Sequence, residues 1–177
     1  RDELNGIQGR FPYPDVSANY RWTGGWGHLQ VAGILREIKW DDLIANTPGH
    51  AYDLSGSELG WGVNVSTNVK FNKNTLRASV VYGEGIENYM NDATQDVGIL
   101  QANTGAGEIG KALPVLGIVA FYDCTWSDKW TSTVGYSRVD IDNSSGQSKN
   151  AFKTGEYALV NALYYPVKDL MFGPEFQ

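Results

Sequence analysis

Leu59-Gly-Trp61-Gly-Val63-Asn-Val65-Ser-Thr67-Asn-Val69-Lys-Phe71 alternates almost without a break. Leu59, Trp61, Val63, Val65, Val69 and Phe71 occupy one phase, interrupted only by Thr67. Gly60, Gly62, Asn64, Ser66, Asn68 and Lys70 occupy the other. Successive side chains of an extended chain point to opposite faces, so this pattern specifies a strand with one apolar and one polar side. Asn72-Lys73-Asn74 then turns the chain. Leu76, Ala78, Val80 and Tyr82 return in alternation with Arg77, Ser79 and Val81.

The same unit recurs along the chain. Val16, Ala18, Tyr20 and Trp22 share a face opposite Ser17, Asn19 and Arg21, and Gly24-Gly25 is expected to supply the positive φ of a tight hairpin. The return strand covers about Gly27 to Arg36. Strands are expected over about Leu113–Thr125, Trp130–Val139, Glu156–Tyr165 and Leu170–Phe176, with turns at Ser127-Asp-Lys129 and Pro166-Val-Lys-Asp169. Strands 113–125 and 156–165 are apolar on both faces, so their phase stays open. Eight candidate strands thus form four hairpins. Short turns near 24, 73, 128 and 167 alternate with long polar connections over 41–58, 83–110 and 140–154.

Composition narrows the setting. The 177 residues carry 14 Lys and Arg against 20 Asp and Glu, a net charge of −6, which argues against nucleic acid recruited by overall charge. With 12% aromatic residues the chain is not disordered. The longest mainly apolar run, Ala112 to Tyr122, contains Pro114 and falls far short of the roughly 20 residues of a spanning helix. The chain opens Arg1-Asp-Glu-Leu with no basic segment leading into an apolar run, as in a mature form or an internal piece.

Sorting of loops into short and long by parity has a physical reason in an outer-membrane barrel, where brief turns face the periplasm and long loops face outward. Aromatics reinforce the reading. Trp22, Trp26, Trp126, Trp130, Tyr164 and Tyr165 border the short turns as one girdle, and Trp40, Trp61, Tyr82 and Tyr157 sit near the opposite strand ends as a second. The alternative is a soluble eight-stranded β-barrel binding a small ligand, with the same aromatics in its core.

No catalytic constellation is present. Gly105-Ala-Gly-Glu-Ile-Gly110 matches a dinucleotide fingerprint by letters only, since no strand leads into it and Pro114 follows. His28 and His50 lack partners at ligand spacing, and Asp140-x-Asp142 lacks the closing acid of a calcium loop. Cys124, the single cysteine, has no nearby base. The chain is therefore read as a non-enzyme without cofactor or metal. Charge is sorted instead: Arg21, Arg36, Lys70 and Arg77 lie on polar strand phases, while the 83–110 connection carries Glu84, Glu87, Asp92, Asp96 and Glu108 without Lys or Arg. If the polar phases line a lumen, its wall is basic and attracts anions. The expected pore-lining residues are Arg21, Arg36, Asn64, Asn68, Lys70 and Arg77. The 83–110 connection can fold inward and narrow the pore, which makes Glu84, Glu87, Asp92 and Asp96 its constriction candidates. Glu37 and Lys39 fall on the lipid-facing phase and are tolerable only where that strand protrudes beyond the bilayer.

Tyr20-Arg-Trp-Thr-Gly-Gly-Trp-Gly-His-Leu-Gln-Val-Ala-Gly-Ile-Leu-Arg36 resembles a hairpin of the DcaP-like outer-membrane porins. So do Gly60-Trp-Gly-Val-Asn64, Val81-Tyr-Gly-Glu-Gly85 with Tyr89, and Leu163-Tyr-Tyr-Pro-Val-Lys168. The similarity runs from about Tyr13 to Gln177. It implies a homotrimer of sixteen-stranded barrels in a Gram-negative outer membrane, in contact with lipid and lipopolysaccharide, passing small anions such as dicarboxylates. The expected fold is all-β: an antiparallel up-and-down transmembrane β-barrel in which residues 1–177 form a single domain. They supply about eight of the sixteen strands, as an incomplete portion of a longer porin chain. Eight strands closing alone would fill their interior with side chains and conduct poorly.

Overall fold

The computed structural model describes residues 6–48, 53–91, 93, 95–101 and 108–177. Its strands are β1 (Ile7–Arg10), β2 (Val16–Gly24), β3 (Gly27–Asp42), β4 (Gly56–Phe71), β5 (Asn74–Glu84), β6 (Val97–Gln101), β7 (Glu108–Ala112), β8 (Pro114–Ser127), β9 (Trp130–Ile141), β10 (Thr154–Val167), β11 (Leu170–Phe172) and β12 (Glu175–Phe176). One turn of 3-10 helix, η1 (Glu87–Tyr89), follows β5.

All pairings are antiparallel. The main sheet runs β3, β4, β5, β8, β9, β10, with β1 and β2 both on the outer edge of β3 and β11 and β12 both on that of β10. Pro12 and Pro14 separate β1 from β2, because proline supplies no N–H to a ladder. Gly173 and Pro174 separate β11 from β12 in the same way. The path therefore follows the eight expected strands in chain order, as an up-and-down sheet. It is linear: among the described residues β2 and β11 are its edges and do not pair with each other. A self-closed eight-stranded barrel is not what these residues build.

Three details differ from expectation. The first hairpin turns at Gly25 and Trp26, and its positive φ belongs to Gly27 (+129°), not to Gly24 or Gly25. A Cβ on Gly27 would lie 1.8 Å from the carbonyl oxygen of Asn68, so the position is closed to side chains on two grounds. The 83–110 connection is not plain loop. It carries η1 and the β6–β7 hairpin, in which Val97 pairs with Ala112 and Ile99 with Gly110. Lastly, the strands flanking the long connections are longer than expected, β3 and β4 reaching 16 residues each.

Register assigns the faces. Leu35, Trp61, Val63, Val65, Val80, Tyr82 and Leu116 share one side of the sheet with Tyr20, Trp22, Val134 and Val160, and all of these but the half-buried Trp61 are exposed. The other side carries Arg21, Gln30, Asn64, Ser66 and Ser79. It continues over β8, β9 and β10 as Val119, Phe121, Val139 and Leu159, which settles the phase of the two strands apolar on both faces. The buried core, Ile86, Leu113, Val115, Val139 and Ile141, lies on this second side. There residues 85–91 and the strands β6 and β7 fold over the ends of β3, β4, β5 and β8.

Candidate channel face and its inward-folded segment

A stripe of glycines lets the segment approach. Gly60, Gly62, Gly83 and Gly117 stand where the polar phase nears the long connections. A Cβ on Gly62 would lie 2.6 Å from Cδ1 of Ile86, and one on Gly117 would lie 2.5 Å from Cε of Met90. With no side chains in between, Ile86 (2% exposed) rests directly on the sheet. Gly85, at φ +64°, makes the bend that drops the chain inward, and its N–H donates to the carbonyl of Leu113 (2.9 Å). The 140–154 connection braces the hairpin, since the Gly146 N–H and the Ser144 hydroxyl both donate to the carbonyl of Ile99 (2.9 and 2.5 Å).

Arg36 is the hub beneath this segment and is 7% exposed. Its Nη1 donates to the Asp96 carboxylate (2.8 Å) and to the carbonyl of Gly85 (3.3 Å), while its Nε lies 3.3 Å from the Asp15 carboxylate. The guanidinium sits 5.4 Å from the centre of the Tyr89 ring. The Tyr89 hydroxyl donates to Asp15, and the Asn88 N–H donates to Asp96 (2.7 Å). One cation thus ties the approach to β2, the middle of the sheet and the connection into β6.

The other expected lining residues share the same face but not the same state. Arg77 is ion-paired with Asp123, which also accepts from the Thr133 hydroxyl (2.9 Å). Asp123 escaped the sequence reading because strand 113–125 offered no polar phase. Arg21 donates to Gln30 (2.7 Å), Asn64 donates to Ser79 (2.8 Å), and Lys70 is exposed. Among the described residues no carboxylate pairs with Arg21 or Lys70. Of the constriction candidates, Glu87 and Asp96 join the inward segment. Glu84 ends β5 in register with Trp61 on the apolar side, and Asp92 lies outside the described residues.

Glu87 is fully buried. Burial raises its carboxyl to about 7, helped by the nearby Asp96 charge and opposed by its own backbone N–H and by Arg36. Below this cluster, the face of β5, β8, β9 and β10 forms a groove of about 670 Å³ lined by Ser79, Val81, Val119, Phe121, Ser137 and Tyr157.

The opposite face carries aromatics at both levels. Trp22, Trp26, Trp126 and Trp130 are exposed beside the short turns, and Trp130 packs on Tyr164 (ring centres 4.8 Å). Tyr165 follows on the other phase. Trp61 meets Tyr82 edge to face at 5.9 Å near the long connections. Trp61 and Phe71 are ten residues apart on one phase of β4, about 34 Å along a strand and about 26 Å in height at a tilt of ~40°. Glu37 and Lys39 lie beyond the Leu35–Trp61 pair, toward the long connections. Arg138, Asp140 and Glu156 also fall on the apolar phase, at the long-connection ends of β9 and β10, where they pair with one another (2.5 and 3.0 Å).

No protein-family model matches the chain, and no curated protein matches its sequence. A solved structure with the same fold is the outer membrane channel DcaP of Acinetobacter baumannii. The similarity has a TM-score of 0.71 at 18% sequence identity, and it covers 96% of this chain and 46% of that one. The chain therefore spans about half the length of the channel it resembles, and what the two share is the all-β architecture.

Proposed function

We propose that the chain forms part of an outer-membrane porin that lets small, preferentially anionic solutes diffuse passively, without cofactor or catalysis. The observation that carries this reading is the sheet with one large apolar face left exposed along its length and, opposite it, a face that is polar over β2 to β5. In water such a face is a liability; against lipid it is the required surface. The roughly 26 Å between Trp61 and Phe71 fits the apolar band of a transmembrane barrel, about 25 Å tall.

In this reading the remaining strands of a sixteen-stranded barrel pair with the edges β2 and β11, since a barrel in lipid leaves no edge open. The resemblance to DcaP-like porins extends the proposal to a homotrimer in a bacterial outer membrane, in contact with lipid and lipopolysaccharide, and to dicarboxylates as solutes. Anion preference rests on Arg21 and Lys70, whose charges no carboxylate among the described residues cancels, more than on Arg36 and Arg77, which are ion-paired. Reversal potentials in planar bilayers under a potassium chloride gradient test this. The native protein should be anion-selective, and the double variant Arg21→Gln/Lys70→Gln should lose part of that bias. Unchanged selectivity would remove the basic-wall reading.

A further inference from the structure

Glu87 lies in the connection between β5 and β6, 0% exposed, and among the described residues neither of its carboxylate oxygens has a partner at hydrogen-bond geometry. A carboxylate in such a place is costly to ionise, because water is excluded and the nearby backbone N–H groups of Ile86 and Glu87 offset only part of that loss. Its position gives that cost a mechanical consequence. Glu87 directly follows Ile86, the residue seated on the glycine stripe, within a turn closed by the Tyr89 and Met90 N–H groups on the carbonyls of Ile86 and Glu87 (3.0 and 2.9 Å). Hydrating the carboxylate therefore requires lifting the turn from the sheet. The charged and titratable groups of this cluster are Arg36 of β3, Asp96 ahead of β6, Asp15 ahead of β2 and Tyr89 of the same turn. Arg36 is already bonded to Asp96 and close to Asp15, so it is not a dedicated counter-ion for Glu87.

We propose that Glu87 is a proton-controlled latch: protonated, it holds residues 85–91 against the glycine seat, and ionised, it releases them. The further consequence, a wider channel face on release, rests on the porin reading. The sign follows from linkage. The seated carboxyl titrates near 7 and the free one near 4.5, so the proton's contribution to seating is complete below about pH 4.5 and is lost as pH rises through about 7.

Hydrogen exchange of peptides covering 85–91, on the detergent-extracted full protein at pH 5 and pH 8 and corrected for intrinsic rates, tests the latch. Protection of the native turn should fall roughly fiftyfold between the two. In Glu87→Gln, which cannot ionise, protection should stay high at both. Equal protection at both pH values in the native protein, or a fall that persists in Glu87→Gln, overturns the proposal. Conductance at the same two pH values separates the two readings. A pH-dependent turn in a protein that never conducts leaves the latch standing and removes the porin. A pH-dependent turn with flat conductance removes the widening.

Discussion

Arg36 and Arg77 carry the same charge on the same face, yet burial gives them different weights. Arg36 is buried with Asp96 and Asp15 around it, so Arg36→Met would leave two half-buried carboxylates without their cation. Breaking a fully buried pair costs about 3–5 kcal/mol, and the water that reaches Asp15 and Asp96 holds the loss toward the lower end of that range. Arg77 is more than half exposed, and loss of an exposed pair costs at most about 1 kcal/mol. Urea unfolding midpoints in detergent should therefore drop clearly for Arg36→Met and barely for Arg77→Gln. Equal drops would mean that Gly85, Tyr89 and Asp96 do not cover Arg36. The sequence shows both arginines on polar phases, but alternation cannot say which of them another segment will bury.

The glycine stripe and the turn it seats belong to the scale of elements. Gly62→Val places a branched side chain where Cδ1 of Ile86 now lies, while the neighbouring strands keep their backbone pairing through Ile34 and Gly83. The expected result is a normally folded sheet with an unseated turn, read as new protease cleavage within 85–91. Cleavage identical to the native pattern would contradict the seat.

Much of the sheet was legible because each hairpin announces itself twice, by alternation and by its turn. Eight strands and four short turns were readable on that basis. The seat was not readable, since Gly60 and Gly62 look like neutral members of a polar phase, Gly83 opens a long connection, and Gly117 sits in a strand without a readable phase. The β6–β7 hairpin was masked by the acidic residues around Val97, Ile99 and Leu100. Gly27 took the positive φ in place of its neighbours because the β3–β4 ladder brings the Asn68 carbonyl against it. Asp123 became visible as an acid of the polar face only through its register with Thr75 beside Arg77.

On the scale of the whole molecule, the sheet has two dissimilar faces and, among the described residues, two unpaired edges. The edges call for further strands, and the exposed apolar face calls for a non-aqueous neighbour. Long strands reconcile this face with its charges. Glu37 and Lys39 follow the Trp61 level on the way to the long connections, and Arg138 is neutralised by Asp140 and Glu156 at the corresponding ends of β9 and β10. The same geometry explains why Arg21 and Lys70, on the opposite face, are free to act on solutes in the proposed channel.

The claim beneath all of this is that one face of β4 meets lipid and the other meets water. A nitroxide scan of positions 63–69 in the reconstituted protein addresses it directly, by comparing collisions with oxygen, which concentrates in lipid, and with a polar relaxation agent. Oxygen accessibility should peak at Val63, Val65 and Val69, and the polar agent should peak at Asn64, Ser66 and Asn68, two period-two waves out of phase. Access of the polar agent to both sets alike would place the whole sheet in water and contradict the account.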